Sequence, residues 1–161
     1  MRKVIIIYFS QTGNTKKLST KIYEILKEKG LEVSLFELES KERRNFFRNC
    51  IDAIKGKIYY IEKMPSIENY EIVFIGSPVW AGKITPLVRS LIKESNFQNK
   101  KVFPFITYGS GLGRIRALKE FEKLIIEKGG EIIGELDVKG KKIDENLPKI
   151  KEEIEKCLKK L

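Results

Sequence analysis

Short polar side chains are concentrated near the start of the chain, between an apolar run at residues 4–9 and an amphipathic helical pattern. The first N–H groups of a helix have no partner within the helix, so hydroxyl and amide groups beside them complete an anion site. Gly13 can turn without steric cost. This segment therefore predicts a phosphate cradle, although Asn14 or Thr15 could instead only cap the helix. Its residues are Ser10, Gln11, Thr12, Gly13, Asn14 and Thr15.

A second motif, Gly76-Ser77-Pro78-Val79-Trp80-Ala81-Gly82, follows the apolar run at residues 72–75 and contains the only tryptophan of the chain. The pattern predicts a loop that carries Trp80. An indole in such a turn is poorly placed for the core but well suited to cover one face of a planar ring. The alternative is that Trp80 anchors the loop by packing against a neighbouring helix.

A third motif, Thr107-Tyr108-Gly109-Ser110-Gly111-Leu112-Gly113, follows a strand-like run at residues 102–107. Its three glycines let the backbone approach the edge of a flat ligand closely, but their spacing differs from the dinucleotide-binding fingerprint. The motif could also be an ordinary glycine-rich entry to a helix. Proline removes a donor from a sheet, so Pro104 predicts a bulge in the preceding strand.

Strand-like and helix-like segments alternate along the chain, which predicts an α/β fold. The expected architecture is a doubly wound five-stranded parallel sheet with helices on both faces, formed by one domain over residues 1–161. Ligands in such sheets bind beyond the carboxyl ends of the strands. The three motifs follow the first, third and fourth predicted strands. The predicted strands are residues 4–9, 31–37, 72–75, 102–107 and 131–136. The first predicted helix ends near residue 29, and the next three span residues 43–55, 86–93 and 115–128.

The composition of the 161 residues, with 42% hydrophobic and 34% charged, indicates a globular protein. No apolar run is long enough for a membrane span, so we expect a cytoplasmic protein that does not insert into membranes. Cys50 and Cys157 are far apart in sequence and predict two free buried thiols. The absence of histidine excludes histidine-based triads and histidine-ligated metals, so redox chemistry would come from an organic cofactor.

The formal net charge is +10, and it is spread evenly along the chain. Residues 1–70 contain 14 basic and 9 acidic residues and the remainder contains 18 and 13, so each part carries +5. An even spread indicates a solvated surface rather than a nucleic-acid site. A denser cluster comprises Lys41, Arg43, Arg44 and Arg48.

This basic cluster lies on a predicted helix with an apolar opposite face. The cluster is either an ordinary exposed helix face or a docking patch for an acidic redox partner. The apolar residues of the helix are Phe46, Phe47, Cys50, Ile51 and Ile54.

The three motifs, together with the helix at residues 47–57, resemble the flavodoxins and related proteins that bind flavin mononucleotide (FMN). The resemblance implies strand order 2-1-3-4-5 and a noncovalently bound FMN. Matched motif by motif, it places the phosphate at Ser10, Thr12, Asn14 and Thr15. It places the isoalloxazine ring between two groups of residues, which are Pro78, Val79 and Trp80 on one side and Tyr108, Gly109, Ser110 and Gly111 on the other. Gln11, Gly13, Ser77, Ala81, Gly82 and Thr107 complete the predicted cofactor site.

The function implied by the resemblance is electron transfer by an FMN protein. The alternative is an FMN-dependent NAD(P)H or quinone oxidoreductase that uses the space above the flavin for its substrate. The expected partner is a redox protein or a small-molecule electron acceptor, and the protein is expected to be a monomer or a homodimer. Carriers of this family are typically acidic, which suits basic partners, whereas this chain is strongly basic.

Overall fold

The computed structural model describes residues 2–40 and 45–161, without the side chain of Phe46. Strands and helices alternate along the chain as the sequence pattern predicts. The strands are β1 (Lys3–Tyr8), β2 (Glu32–Glu37), β3 (Ile72–Trp80), β4 (Lys83–Ile84), β5 (Lys101–Tyr108), β6 (Glu131–Ile132) and β7 (Leu136–Lys139). The helices are α1 (Asn14–Glu28), α2 (Phe46–Ile54), α3 (Pro86–Glu94), α4 (Arg114–Glu127) and α5 (Leu147–Leu158).

The sheet has the order β2-β1-β3-β5-β6, and its long strands are parallel. This confirms the predicted doubly wound fold and the order of its five positions. The described residues form seven strands rather than five. The outermost position is divided between β6 and β7, which both pair with β5, and β4 folds back antiparallel onto the end of β3. The carboxyl ends of the parallel strands therefore share one edge of the sheet, as the site prediction requires.

The bulge predicted at Pro104 is wrong, because β5 pairs with β3 in unbroken register from Lys101 to Thr107. The N–H of Lys101 points toward β3, and the carbonyl of Val102 points toward the outermost strand. Successive residues of a strand alternate between the two sides. The nitrogen of Pro104, which carries no hydrogen, therefore faces the outermost strand, in the gap between β6 and β7. The sheet is thus interrupted beside Pro104 in the outermost strand, which is divided between β6 and β7, and not in β5.

Two apolar cores pack on opposite faces of the sheet. Helices α1 and α5 cover one face, and α3 and α4 cover the other, as expected for a doubly wound sheet. Cys157 is buried on α5, where burial raises the pKa of its thiol to about 12, and Cys50 on α2 is half-buried. Both cysteines are free. Within the described parts of the chain, no helix has the length and apolarity needed to cross a bilayer.

Helix α2 is shorter than predicted, and two of its large apolar side chains point outward. Phe47 and Ile54 are exposed and Cys50 and Ile51 are half-buried, whereas Asn49, Asp52 and Ala53 are buried. The predicted apolar face is thus divided between the surface and the interior. Polar contacts explain its orientation, because the buried Asp52 accepts a hydrogen bond from the hydroxyl of Tyr59 at 2.6 Å. Within the predicted basic cluster, Arg48 is exposed, and Lys41, Arg43 and Arg44 lie outside the described residues.

Candidate functional site

The loop between β1 and α1 presents a row of backbone donors at the carboxyl edge of the sheet. Gly13 occupies the N-cap position of α1 with a left-handed φ of 90°. The hydroxyl of Ser10 accepts a hydrogen bond from the N–H of Lys16 at 3.2 Å. Within the described chain, no acceptor is present for the N–H groups of residues 11–15. These groups lie at the positive end of the helix dipole, which suits a bound anion.

Two hydroxyl side chains of the predicted phosphate loop are engaged elsewhere. The buried Oγ1 of Thr15 lies 2.7 Å from Oγ1 of Thr107, so the pair joins the start of α1 to the end of β5. Ser10 lines a separate cavity with Glu37, whose carboxylate accepts hydrogen bonds from Tyr8 and Lys16. Burial, followed by the Glu37 charge, raises the pKa of the Tyr8 hydroxyl. Through its contact with Thr107, Thr15 joins α1 to β5, and it does not line the cavities described below.

Trp80 lies at the end of a strand, so the prediction that a loop carries it is wrong. Strand β3 continues through Trp80 because its last residues pair with β5 and β4. The turn itself consists of Ala81 and Gly82, both with positive φ, which is the pattern of a tight hairpin turn. The indole is 5% exposed and meets the ring of Phe9 edge to face, with centroids 5.7 Å apart. The hairpin fixes the position of Trp80 at the edge of the sheet.

Ser77 stabilises this hairpin through hydrogen bonds. Its side chain is buried, and its oxygen accepts a hydrogen bond from the N–H of Thr85 at 3.1 Å. The same hydroxyl lies 2.9 Å from the carbonyl oxygen of Pro78, to which it can donate. Ser77 thus joins the two arms of the hairpin and does not line the cavities described below.

An ion pair between the buried Arg89 and the largely buried Glu120, which the sequence analysis did not identify, also holds the hairpin. Nε and Nη2 of Arg89 donate to Oε1 of Glu120 at 2.9 and 2.6 Å. Nη2 also donates to the carbonyl of Ile84 at 3.4 Å, and Oε2 of Glu120 accepts from the N–H of Ile84 at 3.2 Å. The guanidinium further donates to the carbonyls of Ala53 and Lys57. Arg89 and Glu120 therefore join α2, the hairpin, α3 and α4.

The glycine-rich loop after β5 packs directly against the hairpin. Gly113 occupies the N-cap position of α4 with a left-handed φ of 74°, and a Cβ atom at this position would overlap Cα of Gly82. The guanidinium of Arg114 lies 5.4 Å from the centroid of the Tyr108 ring. Arg114 also pairs with Asp137 at 3.1 Å. These contacts fix both the separation of the two loops and the position of Tyr108.

The three motifs surround two adjoining cavities, which share Val79, Tyr108 and Gly109. The first cavity has a volume of about 500 Å³ and the second about 560 Å³. Of the predicted site residues, the first contains Gln11, Thr12, Asn14, Pro78, Val79, Trp80, Thr107, Tyr108 and Gly109. The second contains Val79, Ala81, Gly82, Tyr108, Gly109, Ser110 and Gly111. Ser10, Gly13, Thr15 and Ser77 line neither cavity.

The first cavity also includes Lys139, Gly140 and Lys141, which the sequence analysis missed. Lys139 is the last residue of β7 and the other two follow it at the carboxyl edge of the sheet, so the rule that ligands bind beyond the carboxyl ends of the strands could have identified them. A Cβ atom at Gly140 would lie 2.5 Å from Nδ2 of Asn14. Glycine at this position lets the lysine-bearing segment approach the start of α1. The two lysines add positive charge beside the free amides of the phosphate loop.

The family comparison agrees with this geometry. A family model described as Flavodoxin matches residues 3–141. An uncharacterized protein of Methanocaldococcus jannaschii is 30% identical over 105 residues, which cover 64% of this chain and 70% of that protein. The flavodoxin-like domain-containing protein BilS of Clostridioides difficile is 30% identical over 141 residues. That match covers 86% of this chain and 66% of BilS, slightly under two thirds.

The fold is also similar to that of solved flavoproteins. One is a flavoprotein from Lactobacillus acidophilus in complex with FMN, which has a TM-score of 0.68 and 24% sequence identity. The match covers 90% of this chain and 98% of the flavoprotein. At this identity, the likeness concerns the arrangement of strands and helices rather than individual site residues.

Proposed function

Because the chain belongs to the flavodoxin family, we propose that it binds FMN noncovalently and transfers electrons through it. The observation that carries the proposal is the first cavity, whose lining includes Gln11, Thr12 and Asn14, from the loop with the free amides, together with Trp80 and Tyr108. An anion site and two aromatic side chains in one cavity match the phosphate and the flat ring of FMN.

The residues present fit the cofactor in size and in chemistry. Each of the two adjoining cavities lies within the usual range of small-molecule sites, roughly 300–1,000 Å³. Gln11, Thr12 and Asn14, with Lys139 and Lys141, would hold the phosphate end. Trp80 and Tyr108, with the backbone of the glycine-rich loop, would hold the ring. When bound, FMN would supply the redox chemistry, and these side chains would orient it and exclude water from its faces.

Electron transfer and substrate reduction make different demands on the same site. A carrier needs a cofactor edge that a partner can approach, whereas a reductase needs room for a nicotinamide or quinone against the ring. The second cavity, between the hairpin and the glycine-rich loop, has a volume of about 560 Å³, which is room for either a ring edge or a small substrate. The basic surface favours an anionic redox partner or a small anionic acceptor.

Anaerobic reduction of the FMN-loaded protein distinguishes the two functions. A carrier should take up its electrons in two separate one-electron steps, which visible absorbance resolves during a reductive titration. Its oxidation of NAD(P)H with a quinone acceptor should not exceed that of free FMN. Steady NAD(P)H oxidation well above that background would contradict the carrier function and establish the reductase.

Replacing Trp80 with Ala should weaken FMN binding by about tenfold or more, which corresponds to about 1.4 kcal/mol. The variant loses the aromatic wall of the cavity, and the quenched fluorescence of bound FMN should partly return. A fluorescence titration measures both effects. Trp80→Phe keeps an aromatic ring and should lose less affinity, and Tyr60→Ala, at an exposed tyrosine outside both cavities, should bind normally. Unchanged affinity in Trp80→Ala would remove Trp80 from the site.

A further inference from the structure

Helix α2 and the segment after it expose an unusual number of large apolar side chains. Phe47 is 73% exposed, Ile54 58%, Ile58 52% and Tyr60 71%. Phe47 and Ile54 are seven residues apart and so lie on the same face of the helix. Together with the exposed cations Arg48, Lys55 and Lys57, these four residues are called here the α2 face.

Buried polar contacts lock the α2 face outward. Asp52, on the inner side of the helix, is 3% exposed and bonded to Tyr59, and its Oδ1 lies 2.7 Å from Nζ of Lys57. Arg89 donates to the carbonyls of Ala53 and Lys57 from inside the molecule. Turning the apolar side chains inward would leave these polar groups without partners, at a cost of several hydrogen bonds. The outward orientation is therefore built into the core.

The α2 face lies close to the elements that carry the proposed cofactor site. One nitrogen of Arg89, Nη2, donates both to the carbonyl of Ala53 in α2 and to the carbonyl of Ile84 in the Trp80 hairpin. In the segment that follows α2, the N–H of Glu62 donates to the carbonyl of Glu39, just beyond the carboxyl end of β2. The face is thus joined to the same edge of the sheet as the cavities.

The α2 face is positively charged. Across residues 45–60, Asp52 is the one acidic residue, and it is buried and paired with Lys57, so the exposed Arg48 and Lys55 carry the net charge of the face. A second copy of the chain on this face would bring like charges together, and each copy carries a net charge of +10. An acidic surface with an apolar centre complements the face both in charge and in hydrophobicity.

We propose that the α2 face docks an acidic protein that exchanges single electrons with the cofactor. This inference rests on the proposed electron-transfer function, because the position of the face beside the cavities is what selects a redox protein as the occupant. The apolar side chains would supply the buried centre of the contact. The cations would orient the partner and make its association depend on salt.

The test measures binding of a small acidic ferredoxin by calorimetry at low and high salt, with and without added FMN. Phe47→Ser/Ile54→Ser should weaken binding at least tenfold, and Arg48→Glu/Lys55→Glu should abolish it at low salt. The matched control is Ile126→Ser/Lys123→Glu on α4, which replaces an exposed isoleucine and an exposed lysine outside the face. It should bind within twofold of the unaltered protein. Thermal unfolding confirms that every variant is folded.

Unchanged binding in the two α2 variants, or no ferredoxin binding by the unaltered protein, would overturn the proposal. A dimer in sedimentation that Phe47→Ser/Ile54→Ser dissociates would assign the face to a second copy. Salt-dependent binding to phosphatidylglycerol vesicles without ferredoxin binding would assign it to a lipid surface. A protein that takes up no FMN would instead refute the proposed function, and that outcome is visible separately because docking is measured with and without the cofactor.

Discussion

Replacement of Glu120 by Ala should lower the free energy of unfolding by about 3–5 kcal/mol, the usual cost of removing one partner of a buried ion pair. Arg89 is 3% exposed and bonded to Glu120 through two nitrogens, so the variant leaves a buried cation without its carboxylate. The N–H of Ile84 also loses its acceptor, which loosens the Trp80 hairpin. FMN affinity should therefore fall as well. Chemical denaturation and flavin titration measure the two effects.

Two further variants test the cause of this loss. Arg89→Met/Glu120→Leu removes both charges and should be more stable than Glu120→Ala, because no unpaired charge remains buried. Lys156→Ala breaks an exposed contact with Glu152 and Glu153 and should leave the unfolding transition unchanged. If Glu120→Ala unfolds like the unaltered protein, the buried pair does not hold the hairpin.

Replacement of Gly113 by Ala should abolish or greatly weaken FMN binding, with a loss of affinity well above tenfold. Alanine is strained at a φ of 74°, by roughly 1–2 kcal/mol, and its Cβ would overlap Cα of Gly82. The hairpin and the glycine-rich loop would have to separate, which moves Trp80 away from Tyr108. Flavin titration and thermal unfolding measure the loss of affinity and of stability.

Gly109→Ala is the matched control for this prediction, because Gly109 lies in the same loop and a Cβ atom there would meet nothing within 4 Å. It should retain the stability of the unaltered protein, and stability is the property compared, because Gly109 itself lines both cavities. Equal losses of stability in the two variants would show that any change in the loop disturbs the fold. The close approach of Gly113 to Gly82 would then not be the cause.

The sheet order and most helices follow from sequence periodicity, since buried parallel strands read as continuous apolar runs and the helices carry apolar stripes. The end of β3 was missed because its pairing partner, β4, has only two residues. The Ala81-Gly82 pair was the available signal for that turn. The division of the outermost strand beside Pro104 also depends on pairing between segments distant in sequence.

The orientation of α2 was not predictable from its pattern, because a helical stripe shows which residues share a face but not which face turns inward. That choice depends on Tyr59 and Arg89, which lie outside the helix and reach Asp52 and Ala53 only in the folded chain. For the candidate site, the three motifs lie together around the two cavities. Their individual contacts with FMN stay predictions.

FMN binding is tested most simply by a fluorescence titration of FMN with the purified protein stripped of any bound flavin. We expect saturable binding with one FMN per chain, quenching of the flavin by the aromatic side chains of the cavity, and competition by inorganic phosphate at the free amides of residues 11–15. A protein that leaves FMN fluorescence unchanged and retains no flavin after gel filtration would contradict the proposed cofactor site.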